Sequence, residues 1–106
     1  MVIQVKELGA LAIVSYVGSL DALSAGEVEA AIKEHKNVVL DLSQVDFMSS
    51  AGLRAILNGL KNCREIEGDL RVAAAQPGVE RVLNISGFTS IVKYFEDVNS
   101  AAQSFA

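Results

Sequence analysis

The sequence predicts an α/β fold: a mixed, mostly parallel sheet of four to five strands packed with about four helices. Three observations carry that reading. Short apolar, β-branched runs recur at 2–7, 11–17, 38–42 and 70–74, with the length and composition of strands. Between the later runs, apolar residues fall at helical spacing, so strands and helices alternate. No linker, low-complexity segment or internal repeat interrupts the 106 residues, which read as one domain over 1–106.

Taken in order, Val2 to Glu7 alternates around Ile3 and Val5, and Leu11 to Val17 is a second apolar stretch. Gly9 between them predicts a hairpin. Gly18-Ser19-Leu20-Asp21 breaks the pattern and reads as a loop. From Leu23 to His35, the residues Val28, Ala31, Ile32 and His35 follow helical spacing. Val38 to Leu42 is nearly continuous in apolar character, as a central strand covered on at least one face requires.

The clearest helix follows, over Gly52 to Cys63. Leu53, Ile56, Leu57, Leu60 and Cys63 fall at i, i+3, i+4, i+7 and i+10 and form one apolar stripe. Gly68 ends that region and Leu70 to Ala74 supplies another strand. Pro77 suits a first helical turn, opening a short helix with Val79, Val82 and Leu83 that Gly87 closes. Ile91 to Phe95 reads as an edge strand or extended segment. Val98, Ala101, Ala102 and Phe105 mark a final amphipathic helix. The order is β-β-α-β-α-β-α-(β)-α, which implies right-handed crossovers between parallel neighbours. The loops at 18–22, 45–51 and 75–78 should therefore gather at one end of the sheet, where ligands and partners act in such folds.

Composition narrows the function. A net charge of -4, a pI near 4.8 and scattered Lys and Arg argue against a nucleic-acid partner, which demands clustered positive charge. No apolar run approaches the ~20 residues of a membrane span, and no basic-then-apolar leader stands at Met1, so a cytoplasmic protein with no membrane partner is expected. Cys63 is the single cysteine, which leaves no disulfide framework within the chain and too few ligands for structural zinc. It extends the helical stripe and reads as a small core residue. No phosphate-binding loop motif is present, no cofactor is expected, and no residue is assigned to a metal or to catalysis.

The chemically distinctive segment is Phe47-Met48-Ser49-Ser50-Ala51-Gly52-Leu53, entered from Val39-Leu40-Asp41-Leu42-Ser43. It brings two hydroxyls to a helix start, where unpaired N–H groups and the helix dipole favour negative charge. A phosphate there is tolerated by the fold and changes what the surface binds. Read locally, Ser-Ser before an apolar helix is in most proteins only a cap. Gly52, lacking a Cβ, offers close approach to the helix start.

This segment resembles the signature of the STAS domain family, and more narrowly the stand-alone bacterial anti-sigma-factor antagonists. Gly18-Ser19-Leu20-Asp21 and Val82-Leu83-Asn84-Ile85-Ser86-Gly87-Phe88 extend the likeness along the chain. The resemblance implies a non-enzymatic partner switch in transcription regulation. The unmodified protein would bind an anti-sigma factor that is also a serine kinase, freeing a sigma factor. Phosphorylation would end binding, and a metal-dependent serine phosphatase would reset it. The family pattern Asp-Ser-x-Gly-Leu places the acceptor at Ser50. Ser49 stands where the pattern has Asp, which leaves Ser49 as a second candidate acceptor and keeps open a partner switch controlling a non-transcriptional process. The partner-binding residues the resemblance implies are Asp21, Ser49, Ser50, Gly52 and Leu53.

Other residues have plainer readings. The resemblance implies that Asp21, in the family's Gly-x-Leu-Asp loop, would contact the kinase or a metal during phosphotransfer; read by itself, it caps the following helix. Asp46 reads as a turn residue, and Asp41 as a strand-end carboxylate holding the serine loop. A serine hydrolase would need His35, the only histidine, beside Ser50; it precedes the strand whose far end leads to Ser50. A place near a helix C-terminus suits it better.

Overall fold

The alternating apolar runs do assemble into one sheet. The computed structural model describes residues 3–106; Val2, the expected start of the first strand, and Met1 lie outside the described residues. Strands β1 (Ile3–Leu8) and β2 (Leu11–Tyr16) pair antiparallel with Leu8 opposite Leu11, the hairpin expected around Gly9. Strand β4 (Asn37–Asp41) then lies parallel to β2, β6 (Asp69–Ala73) parallel to β4, and β7 (Lys93–Phe95) parallel to β6. The five-stranded order is β1-β2-β4-β6-β7, so β4, with Val38, Val39 and Leu40 fully buried, sits at the centre. In-register Val14, Leu40 and Val72 form one layer across it.

The two faces are covered differently. Helices α1 (Ala25–Lys33), α2 (Ser50–Glu65) and α3 (Pro77–Ile85) contribute Val28, Ile32, Ile56, Leu60, Cys63, Val79 and Leu83 to the main core. These residues pack with Val14, Val38, Leu40, Leu70 and Val72 of the sheet. The opposite face carries Val39 and Ala73, which bury Ala101 of α4 (Val98–Gln103) with Phe105 beyond it. Arg71 locks that segment down: its guanidinium lies 4.0 Å from the Phe105 ring centroid, donates to the Ser104 carbonyl at 2.7 Å and pairs with Asp69 at 3.0 Å.

Two expectations are corrected. Gly18–Leu20 and Val45–Met48, read as loops, are short strands β3 and β5 that pair parallel in a separate two-stranded sheet. A bulge separates Gly18 from Ser19, and Gly18 has a φ of 116°, where a side chain would be strained. Helix α2 also begins earlier, at Ser50, because Ser49 supplies its N-cap. A 3₁₀ turn at Phe88–Ser90 leads into β7.

Candidate functional site

The site is built around the carbonyl of Leu20. Strand β3 ends there, opposite Met48 at the end of β5. The Leu20 oxygen accepts the Ser49 N–H at 3.0 Å and the Ser49 Oγ–H at 3.3 Å. The same Oγ accepts the Gly52 N–H at 3.2 Å, and the Ser49 carbonyl accepts the Leu53 N–H at 3.0 Å. Ser49 is therefore half-buried with its hydroxyl engaged both as donor and as cap. Ser50, the first residue of α2, is exposed. The two serines that look equivalent in the sequence have different surroundings.

Gly52 is buried, which corrects the idea that its missing Cβ admits a partner. A Cβ there would fall 2.5 Å from the Leu20 carbonyl oxygen and 2.8 Å from the Met48 sulfur. The close approach is made by the chain itself, so that Gly52 sets the distance between α2 and the β3–β5 pair. Leu53 is partly buried against the main core.

Asp21 follows Leu20 directly, so the two hydrogen bonds to Leu20 hold its loop beside the serines. Its carbonyl accepts the Ser24 and Ala25 N–H groups at 3.2 and 2.9 Å, and its carboxylate accepts the Leu23 N–H at 3.0 Å. That is an Asx turn. The cap position of α1 belongs to Ser24, not to Asp21. Ser24 is buried, donating from Oγ to the Ser19 carbonyl at 2.7 Å and accepting the Asp21 N–H at 3.0 Å.

Asp46, read as a turn residue, instead lies on β5, exposed, accepting from Ser19 Oγ at 3.1 Å. Asp41 bonds the turn ahead of β5, not the Ser49–Ser50 segment itself, accepting the Ser43 N–H at 2.9 Å and Ser15 Oγ at 3.3 Å. Gln76, before α3, donates to the Ser43 carbonyl at 3.0 Å and brings the third loop to the same end of the sheet. His35 lies before the amino end of β4, whereas Ser50 follows β5 beyond its carboxyl end. Cys63 is fully buried, donates to the His35 carbonyl at 3.6 Å, and has its thiol pushed up to about 11 by burial and by the charge of Asp69. Among the described residues, no group of three or more His, Cys, Asp or Glu is placed to hold a metal ion.

Two side chains at this end escape the sequence reading. Leu23, in the Asp21 turn, is 93% exposed, and Phe47 on β5 is 55% exposed. Leu23 lies off the Val28–Ala31–Ile32 stripe, the one hint that it does not join the core. Leu23 shares its turn with the Asp21 carboxylate and Phe47 follows Asp46 on β5, so exposed apolar and acidic side chains alternate along these segments.

Sheet order, helix placement and a capped, serine-bearing helix start together define an α/β domain that presents one end of its sheet as a surface. The chain belongs to the STAS domain family, whose sequence profile matches residues 2–101. It is 33% identical over 110 residues to BtrV of Bordetella bronchiseptica, provisionally named an anti-sigma factor antagonist, covering 99% of this chain and 95% of that protein. In fold it is similar to the crystal structure of an anti-sigma factor antagonist from Mycobacterium paratuberculosis, with a TM-score of 0.86 and 23% identity over 96% of this chain and 91% of that one. It is also similar to the anti-sigma factor antagonist SpoIIAA in its unphosphorylated form, with a TM-score of 0.82 and 16% identity over 97% and 95% of the two chains. The phosphorylated form of the Bacillus protein SpoIIAA superposes with a TM-score of 0.74 and 15% identity over 98% and 99%. Among the described residues, no helix is long and apolar enough to cross a membrane.

Proposed function

We propose that this protein is an anti-sigma-factor antagonist controlled by phosphorylation at Ser50. In the unmodified state its Asp21–Ser50 end docks an anti-sigma factor that is also a serine kinase, and a sigma factor is freed. The kinase places a phosphate on the Ser50 hydroxyl and binding ends; a metal-dependent serine phosphatase restores the hydroxyl. The observation that carries the reading is the division of labour between neighbours: Ser49 Oγ is committed to Leu20 and Gly52, while Ser50 is exposed at the first position of α2. Family membership and the names of its relatives supply the kind of partner.

Charge explains how the switch works without refolding. Phosphorylation adds roughly 1.5 to 2 negative charges at neutral pH. A partner packed on Leu23 and Phe47 over the Ser50 hydroxyl would have to bury that charge. Desolvation of the dianion and lost packing cost several kcal/mol, and about 1.4 kcal/mol is tenfold in affinity. Incubation with ATP and the partner kinase, followed by mass spectrometry of peptides, tests the reading. A single phosphate on Ser50 supports it; a phosphate confined to Ser49, or none, refutes it.

A further inference from the structure

Position 54 is not part of the family pattern matched above, yet it stands one helical turn after the exposed serine. Ser50 and Arg54 are both exposed on α2, four residues apart and therefore neighbours on one helix face. Side chains of a helix lean toward its N-terminus, which puts the turn that carries Ser50 within reach of the Arg54 guanidinium. The residues three and four away from Arg54 on α2 are Ser50, Ala51, Leu57 and Asn58, none of them acidic. The first turn of α2 contains no acidic residue either. Among the described residues, the salt bridges are Lys33–Glu29, Arg64–Asp69 and Arg71–Asp69, so Arg54 is not committed to a carboxylate.

We propose that Arg54 is the built-in counter-charge of the modified state, gripping a phosphoryl group on Ser50 through the forked N–H donors of its guanidinium. The inference rests on the reading of Ser50 as the acceptor. The helix end offers a reduced grip, because Ser49 Oγ already takes the Gly52 N–H and the Ser49 carbonyl the Leu53 N–H. Arginine matches phosphate geometry with two parallel hydrogen bonds, which a lysine at the same place does not reproduce. The phosphate is thereby fixed over the first turn of α2 as an oriented dianion instead of swinging freely. Arg54 acts as a positioning residue: it leaves the unmodified surface unchanged and stabilises the modified one.

Phosphoserine installed at position 50 during translation gives the modified protein without any kinase. Melting temperatures are then measured with and without the phosphate in the native sequence, in Arg54→Gln and in Arg54→Lys. The phosphate should raise the melting temperature by on the order of 2–6 °C in the native sequence. Arg54→Gln should lose most of that increment and Arg54→Lys should keep only part of it, while neither changes the unphosphorylated protein by more than ~2 °C. Equal increments in the native and Arg54→Gln proteins, or no increment in the native one, overturn the proposal. Because the phosphate is installed directly, a failure of Ser50 as the kinase's acceptor appears in the mass-spectrometric experiment alone, and a failure of Arg54 appears here alone.

Discussion

The main-chain carbonyl of Leu20 receives both polar hydrogens that Ser49 has to give, the N–H at 3.0 Å and the Oγ–H at 3.3 Å. One oxygen thus ties the end of β3 to the start of α2, and with it the Asp21 loop to Ser50. The surface proposed for partner binding depends on that joint.

Removing the joint should cost stability, whereas removing the neighbouring hydroxyl should not. Ser49→Ala deletes an N-cap and the side-chain bond to Leu20, so a loss of about 1–2 kcal/mol is expected in urea denaturation. Ser50→Ala, at an exposed position, should stay within about 0.5 kcal/mol of the parent. Equal effects of the two substitutions would contradict the roles assigned to them.

Gly52→Ala should be worse than either. Its Cβ would meet the Leu20 oxygen at 2.5 Å and the Met48 sulfur at 2.8 Å, and the first of these is backbone that cannot swing aside. Overpacking of this kind costs about 1–3 kcal/mol. Thermal unfolding measures it, and an unchanged melting temperature would show that α2 does not rest on β3 as described.

Leu23 is 93% exposed, so Leu23→Ala should leave stability within about 0.5 kcal/mol. As an apolar anchor of the proposed interface it should lower affinity for the anti-sigma partner by tenfold or more, about 1.4 kcal/mol. Isothermal titration reads the affinity, and circular dichroism confirms the fold. Undiminished binding would remove Leu23 from the interface.

Cys63 predicts a pH dependence. Its thiol is raised from an ordinary 9.0 to about 11 in the folded chain, chiefly by burial. Above the unfolded value the unfolded chain releases a proton that the folded one keeps, so stability is intact below about pH 9 and declines toward pH 11. The slope from this group reaches at most about 1.4 kcal/mol per pH unit. Denaturation of the parent and of Cys63→Ala across that window should show the steeper decline in the parent; parallel curves would contradict it.

Much of this fold is legible in the residues, and the exceptions share a physical cause. The run Val38–Leu42 and the stripe from Leu53 to Cys63 announce themselves because each element's own neighbours carry its pattern. Strands β3 and β5 do not, since Gly18–Leu20 and Val45–Met48 are extended only through pairing with each other across the chain. At the site, the Ser49–Ser50 pair and its carboxylate surroundings are readable from the chain alone. What separates the two hydroxyls is a contact with Leu20, twenty-nine residues away, which no local pattern encodes. Leu23 and Phe47 are hidden for a related reason: an apolar side chain looks the same in sequence whether it enters the core or faces a partner.

The most direct test compares affinities for the anti-sigma partner of the unmodified protein and of the protein carrying phosphoserine at position 50. Roughly 100-fold or greater weakening, with the circular dichroism spectrum unchanged, is the predicted result. Equal affinities for the two forms would contradict control by charge added at Ser50.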